Sequence, residues 1–200
     1  MYLKLGRVKV HITFAFALFA AFAAGSAAGE KLAAAFASAL LHECVHLVFL
    51  IGFGCTGIRL TLNPGGASVK CAGMELLCVK KQLLTLLSAP SLNVVLGLLL
   101  LASGSITGGE ALFSAASVNL WLGGINLLPV RFTDGGRALY AVLSERTSSE
   151  RAGKTAEICG IFSVVLLTGL TLFLIFSHRP WYGAAFFTVY CIVFSFLLKK

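Results

Sequence analysis

Apolar positions in this chain fall in long blocks rather than narrow stripes. Six blocks predict membrane spans over residues 10–28, 31–53, 82–103, 109–128, 157–177 and 181–198, since a helix needs about 20 apolar residues to cross the hydrocarbon core. The pattern changes in two places. Gly57-Ile58-Arg59-Leu60-Thr61-Leu62-Asn63 alternates with period two, Asn63-Pro64-Gly65-Gly66 supplies turn residues, and residues 67–71 can return as a second strand. That alternation predicts a small β-hairpin between the second and third spans. Residues 129–156 start at Pro129 and pass through Asp134-Gly135-Gly136. They predict a short amphipathic helix over 137–143 and a polar loop over 144–153. The expected fold class is therefore an all-α polytopic membrane protein of about six transmembrane helices, with one hairpin.

Composition supports the bilayer. Of 200 residues, 58% are hydrophobic and 12% charged, and the mean hydropathy is +0.92, far from a soluble domain. The 21 glycines suit closely packed membrane helices. The first block is read as a retained helix rather than a removable leader. With a cytoplasmic N-terminus, the inner segments hold fourteen Lys and Arg residues and the outer segments only Lys31 and Arg179. This bias predicts six spans with both termini cytoplasmic. The net charge of +8 is scattered over span ends, so nucleic acid is not an expected partner. Six cysteines form no CxxC pair and read as small packing residues.

The chemistry lies in the second block, at His42-Glu43-Cys44-Val45-His46. A helix puts i and i+4 on one face, so both imidazoles can reach one metal ion, with Glu43 beside them to act on a water. A carboxylate and two imidazoles are costly among Leu40, Leu41, Leu47, Val48 and Phe49, which favours function over packing. Catalytic zinc usually takes three protein ligands and a water. His11 and His178 stand at the wrong places, whereas Asp134, the only aspartate, follows the fourth span. His46 would lie about 12 Å below the end of its helix. Asp134 must then sit on a segment dipping into the membrane, a path its following glycines permit. The expected site is one zinc per chain on His42, His46 and Asp134. Glu43 is the general base, and Asn126 is a donor to the oxyanion. The substrate must unwind, and the hairpin edge near Arg59 and Asn63 is the expected place to hold it as an added strand.

With these residues in view, the chain resembles the site-2 protease family of intramembrane zinc metalloproteases. The resemblance rests on His42-Glu43-Cys44-Val45-His46, on Asn126-Leu127-Leu128-Pro129 followed by Asp134-Gly135-Gly136, on Ala89-Pro90-Ser91-Leu92-Asn93 and on Asn63-Pro64-Gly65-Gly66. Val10-His11 at the first span is similar to the compact bacterial branch that includes the stage IV sporulation protein FB. Ala89 stands where the family usually has Gly, and Thr133 where Leu commonly precedes the Asp; neither change removes a ligand. The resemblance implies a single protease domain over 1–200, with a core over 5–145, two additional helices within 157–198, and no PDZ or CBS domain. It also implies cleavage of membrane-associated or transmembrane substrates near the cytoplasmic face of a bacterial cell membrane.

Two other classes compete. A metal-ion transporter needs polar residues through several spans, and the last two carry only scattered Ser and Thr. An inactive scaffold needs none of His42, Glu43, His46 and Asp134, yet all four are present. The substrate, a regulatory membrane protein and homo-oligomerisation are left open by the sequence.

Overall fold

Ala, Leu and Phe dominate residues 32–51, and the good helix formers among them carry one continuous helix. In the computed structural model, which describes residues 2–6, 8–18, 29–63 and 66–176, this helix runs over Gly29–Gly52. The order is β1 (Tyr2–Leu5), β2 (Val8–Ile12), a helical stretch over residues 14–18 (α1) and α2 (Gly29–Gly52). Then come β3 (Thr56–Asn63), β4 (Gly66–Ala72), α3 (Val79–Thr107), α4 (Glu110–Leu127), α5 (Asp134–Arg146) and α6 (Ser149–Phe176). Most described residues are helical. Three described helices contain segments long and apolar enough to cross a membrane: Leu32–Gly52, Val79–Thr107 and Ser149–Phe173. The chain divides into two compact units, Met1–Leu127 and Leu128–Lys200.

In the first unit, α2, α3 and α4 pack against one another. The α3–α4 crossing is close because two glycines leave room. A Cβ on Gly123 would lie 2.7 Å from the Pro90 carbonyl oxygen, and one on Gly97 would lie 2.9 Å from the Leu120 backbone nitrogen. Pro90 is tolerated inside α3, as proline is in membrane helices when neighbours accommodate the freed backbone.

The sheet differs from the expected hairpin. β3 and β4 pair antiparallel, from Thr56 opposite Ala72 to Asn63 opposite Gly66. They belong to a four-stranded sheet in the order β1-β2-β3-β4. β2 runs parallel to β3, with Val10 opposite Leu60, and antiparallel to β1. Val8, Val10, Ile58 and Leu60 point inward with Leu50 and Cys55, while Lys9 and Arg59 are exposed, the period-two signature of a one-sided sheet. Residues 10–12, expected to open the first span, are strand instead. Pairing with β3 satisfies their backbone groups, and only beyond Thr13 does a helix begin. β3 is flanked on both sides, so the free ladder beside it belongs to β4, not to the stretch between Arg59 and Asn63.

Two further boundaries move. The fourth expected span is the 18-residue α4, but it is not among the three apolar enough to cross alone. Asn119 and Asn126 lower its hydropathy, and Asn119 is buried in the bundle. The polar loop expected over 144–153 is short: α5 runs to Arg146 and α6 starts at Ser149. Exposed Lys154 and Glu150 pair at 2.6 Å one turn apart, which supports the first turn of α6. The sixth expected span, 181–198, lies outside the described residues, as do residues 19–28 of the first.

Candidate metal centre

Ser38, His42 and His46 recur every four residues on α2 and all three are buried. The two imidazoles converge, with Nε2 of His42 3.2 Å from Nε2 of His46. Each is held from behind at its other nitrogen. Nδ1 of His46 lies 2.8 Å from the Thr85 carbonyl oxygen, and Nδ1 of His42 lies 2.7 Å from Oδ1 of Asn93. Both partners come from α3. A backbone carbonyl only accepts, so Nδ1 of His46 carries the proton and Nε2 presents its lone pair when the ring is neutral. The 3.2 Å separation fits two ligands of one tetrahedral zinc, for which Zn–N bonds of about 2.0–2.1 Å give an edge of about 3.3 Å. Two neutral imidazoles are also the donor type that zinc favours.

Glu43, one step round the helix, is tethered elsewhere. Its Oε2 accepts the Val69 N–H at 2.8 Å. Val69 belongs to the edge strand β4, so the sheet holds the carboxylate of the residue next to His42. Asn126, the expected oxyanion donor, sits in the last turn of α4 and donates to the Leu122 carbonyl at 3.0 Å.

Asp134 belongs to the second unit and is buried as the first residue of α5. A carboxylate there is favoured by the helix dipole. Thr133 caps the helix: its hydroxyl oxygen accepts from the Gly136 N–H at 3.3 Å. The departure from the family's usual Leu thus places a preferred N-cap residue before the Asp. Turn bonds from Val130 N–H to Leu128 O and from Thr133 N–H to Val130 O fold the Pro129 segment onto the same helix end. A Cβ on Gly136 would collide with the Val130 carbonyl, so the second glycine of Asp134-Gly135-Gly136 is required by this close approach. Arg137 lies 3.8 Å from Asp134, one turn on.

Sequence reasoning missed Ser38, Thr85, Asn119 and Val69. Ser38 was legible in principle, four residues ahead of His42. Asn119 was visible as an amide inside an apolar block. Thr85 and Val69 act through backbone groups, which leave no trace in residue type.

Residues 15–170 match the family described as Peptidase family M50. The chain is similar to the zinc metalloprotease MJ0392 of Methanocaldococcus jannaschii, with 30% identity over 142 residues, 68% of this chain and 41% of that protein. It therefore spans about two-fifths of that relative's length. Its fold is similar to a solved structure of the site-2 protease from Methanocaldococcus jannaschii, with a TM-score of 0.63 and 23% identity over 96% of this chain and 91% of that one. With more than half its length matched and the motifs in place, the chain belongs to peptidase family M50, the site-2 protease family.

Proposed function

We propose that the chain is an intramembrane zinc metalloendopeptidase that cleaves membrane-associated or transmembrane proteins near the cytoplasmic face. The observation that carries this is the pair of buried imidazoles with Nε2 atoms 3.2 Å apart, inside a helix apolar enough to cross a membrane. His42 and His46 hold one zinc per chain, and Asp134 is the third ligand. Supporting Asp134 are its place in the family motif, its burial and the carboxylate's suitability for zinc. The name of the relative, a zinc metalloprotease, agrees.

Zinc bound by these residues would supply an acidified water and a polarised scissile carbonyl. Glu43 would accept the proton of the attacking water and return it to the leaving nitrogen. Its tether to Val69 matters here. A substrate strand added along β4 runs past the residue that holds the base, so the extended segment and the carboxylate are brought together. Asn126 donates to the developing oxyanion, using an amide proton that its bond to Leu122 leaves over. The protein is multi-pass with cytoplasmic termini, a reading supported by the bias of Lys and Arg; its placement in a bacterial cell membrane rests on the sequence resemblance alone.

The test is zinc content by elemental analysis on purified wild type and on Asp134→Ala, alongside cleavage of a labelled single-span reporter protein in detergent. About one zinc per wild-type chain, large loss in the variant and reporter cleavage that a chelator stops support the proposal. Wild type without zinc favours a scaffold, and zinc flux in vesicles without cleavage favours a transporter.

A further inference from the structure

The histidine pair is not the end of the buried polar network but one end of a directed chain. Asn93 Nδ2 donates to Asn119 Oδ1 at 2.8 Å. Asn119 Nδ2 donates to the Ala115 carbonyl at 2.9 Å and to the Ser38 hydroxyl oxygen at 3.0 Å. Ser38 Oγ donates to the Ala34 carbonyl at 2.9 Å. The chain starts on α2 at His42, crosses α3 and α4, and returns to α2 one turn earlier. His42, Asn93 and Asn119 are each at least 95% buried.

An amide can in principle be flipped, and an imidazole can carry its proton on either nitrogen; partners of fixed character decide. Here two backbone carbonyls decide. Ala115 O accepts only, so the NH2 end of Asn119 faces it and Asn119 Oδ1 faces Asn93. The NH2 end of Asn93 must then face Asn119, which turns Asn93 Oδ1 to His42. His42 is left with its proton on Nδ1 and its lone pair on Nε2. Ser38, which spends its proton on Ala34 O, accepts from Asn119 and locks the same sense. His46 reaches the same state through Thr85 O. Both Nε2 atoms then present lone pairs 3.2 Å apart, the state and spacing that two ligands of one cation require.

We infer that Asn93, Asn119 and Ser38 form a positioning relay that fixes the tautomer of His42 and so sets the metal affinity of the site. The inference rests on the metal-centre reading and goes beyond it. The plainer role of these amides is to join helices, which membrane amides do. The two roles part on one point. Glue sets stability only, whereas a relay sets the affinity of the folded protein for zinc, in an order given by distance along the chain.

The experiment uses the full chain in detergent, with zinc affinity of the folded fraction read by chelator competition and thermal stability read in parallel. Asn93→Leu, which removes the acceptor, is expected to weaken zinc binding by about 10–100-fold, the usual cost of losing a partner behind a ligand. Asn119→Leu, which frees Asn93 to flip, is expected to cost about tenfold or less, and Ser38→Ala least, because Ala115 O still holds Asn119. Asn93→Asp still accepts from Nδ1–H but turns a second acceptor toward Asn119 Oδ1, so it is expected to keep the Nδ1 proton and near wild-type zinc affinity while losing thermal stability. In 15N-histidine spectra of the zinc-loaded protein, His42 should carry its proton on Nδ1, and Asn93→Leu should move that signal without moving His46. Wild-type zinc affinity in both Asn93→Leu and Asn119→Leu, or a His42 proton on Nε2, overturns the relay. If Asn93→Leu does not fold, Asn119→Leu and Asn93→Asp carry the comparison. His42→Ala separates the two levels. Unchanged zinc binding there sinks the metal centre itself, whereas loss there with no effect of the Asn variants sinks only the relay.

Discussion

The α2–α3–α4 bundle and the four-stranded sheet belong to one unit but are built with opposite polarity. In the sheet, Val8, Val10, Ile58 and Leu60 are buried while Lys9, Arg59 and Lys70 are exposed. In the bundle, Ser38, His42, His46, Thr85, Asn93 and Asn119 are buried while Val48, Leu98 and Leu99 are exposed. The sheet is arranged for water on its outer face, the bundle for lipid. In lipid, apolar side chains gain little by turning inward, so a helix interior is free to hold polar groups, provided each finds a partner. Among the described residues every buried side-chain nitrogen or oxygen has one. The bundle's polar interior is therefore a satisfied network with the histidine pair as its exit, and the apolar exterior is what makes that network affordable.

The strongest test of that polarity removes the reactive group and leaves the network. Glu43→Gln should keep zinc and fold while cleavage of a single-span reporter falls by about 10²–10⁴-fold, the range of a general base; parallel loss of zinc would show that Glu43 is structural. Next in size is the medium. Leu98→Lys, on the outward face of α3, should cost about 3 kcal/mol if that face meets lipid, read as failed membrane insertion. Lys9→Gln on the sheet should stay within about 0.5 kcal/mol. Equal effects would mean that the two surfaces share one solvent. A smaller contrast concerns packing. Ile58, fully buried in the sheet cluster, should lose about 0.5–1.5 kcal/mol as Ile58→Val. Leu99→Val, at an exposed position on α3, should change denaturation by less than that.

The same polarity explains what could be read from the chain. The histidines stood out because polar residues in an apolar block need a reason, and α2 and α3 lie where their long apolar runs put them. The alternation of Ile58, Leu60 and Leu62 with Arg59 and Thr61 marked β3 because that strand faces water on one side. Val8-Lys9-Val10 carries the same alternation, but it runs straight into the apolar block beyond Ile12, and a block of that length reads as helix. The edge that holds Glu43 was hidden for a different reason. Val69 acts through its N–H, and which N–H faces outward depends on register, which no single strand contains. Asn93 was visible as part of the Ala89-Pro90-Ser91-Leu92-Asn93 motif, but its direction was not, since that comes from the Ala115 and Ala34 carbonyls on two other helices.

The smallest effect falls at the border between the two regions, where the sheet's apolar face meets the end of α2. Burial pushes the Cys71 thiol up to about 11, and the neighbouring Cys55 thiol adds to the rise. A thiol raised this far is almost wholly protonated at pH 8, and the thiolate is the reactive form. Its greater intrinsic nucleophilicity offsets only part of that loss. Cys78, exposed just before α3, serves as an internal standard. Iodoacetamide at pH 8 should modify Cys71 about tenfold more slowly than Cys78, with the Cys71 rate still climbing between pH 9 and 11. Mass spectrometry of timed digests reads both rates in one sample. If Cys71 reacts as fast as Cys78, or stops accelerating near pH 9, the inner face of the sheet is open to water, and the contrast between its two faces is weaker than Ile58 and Leu60 imply.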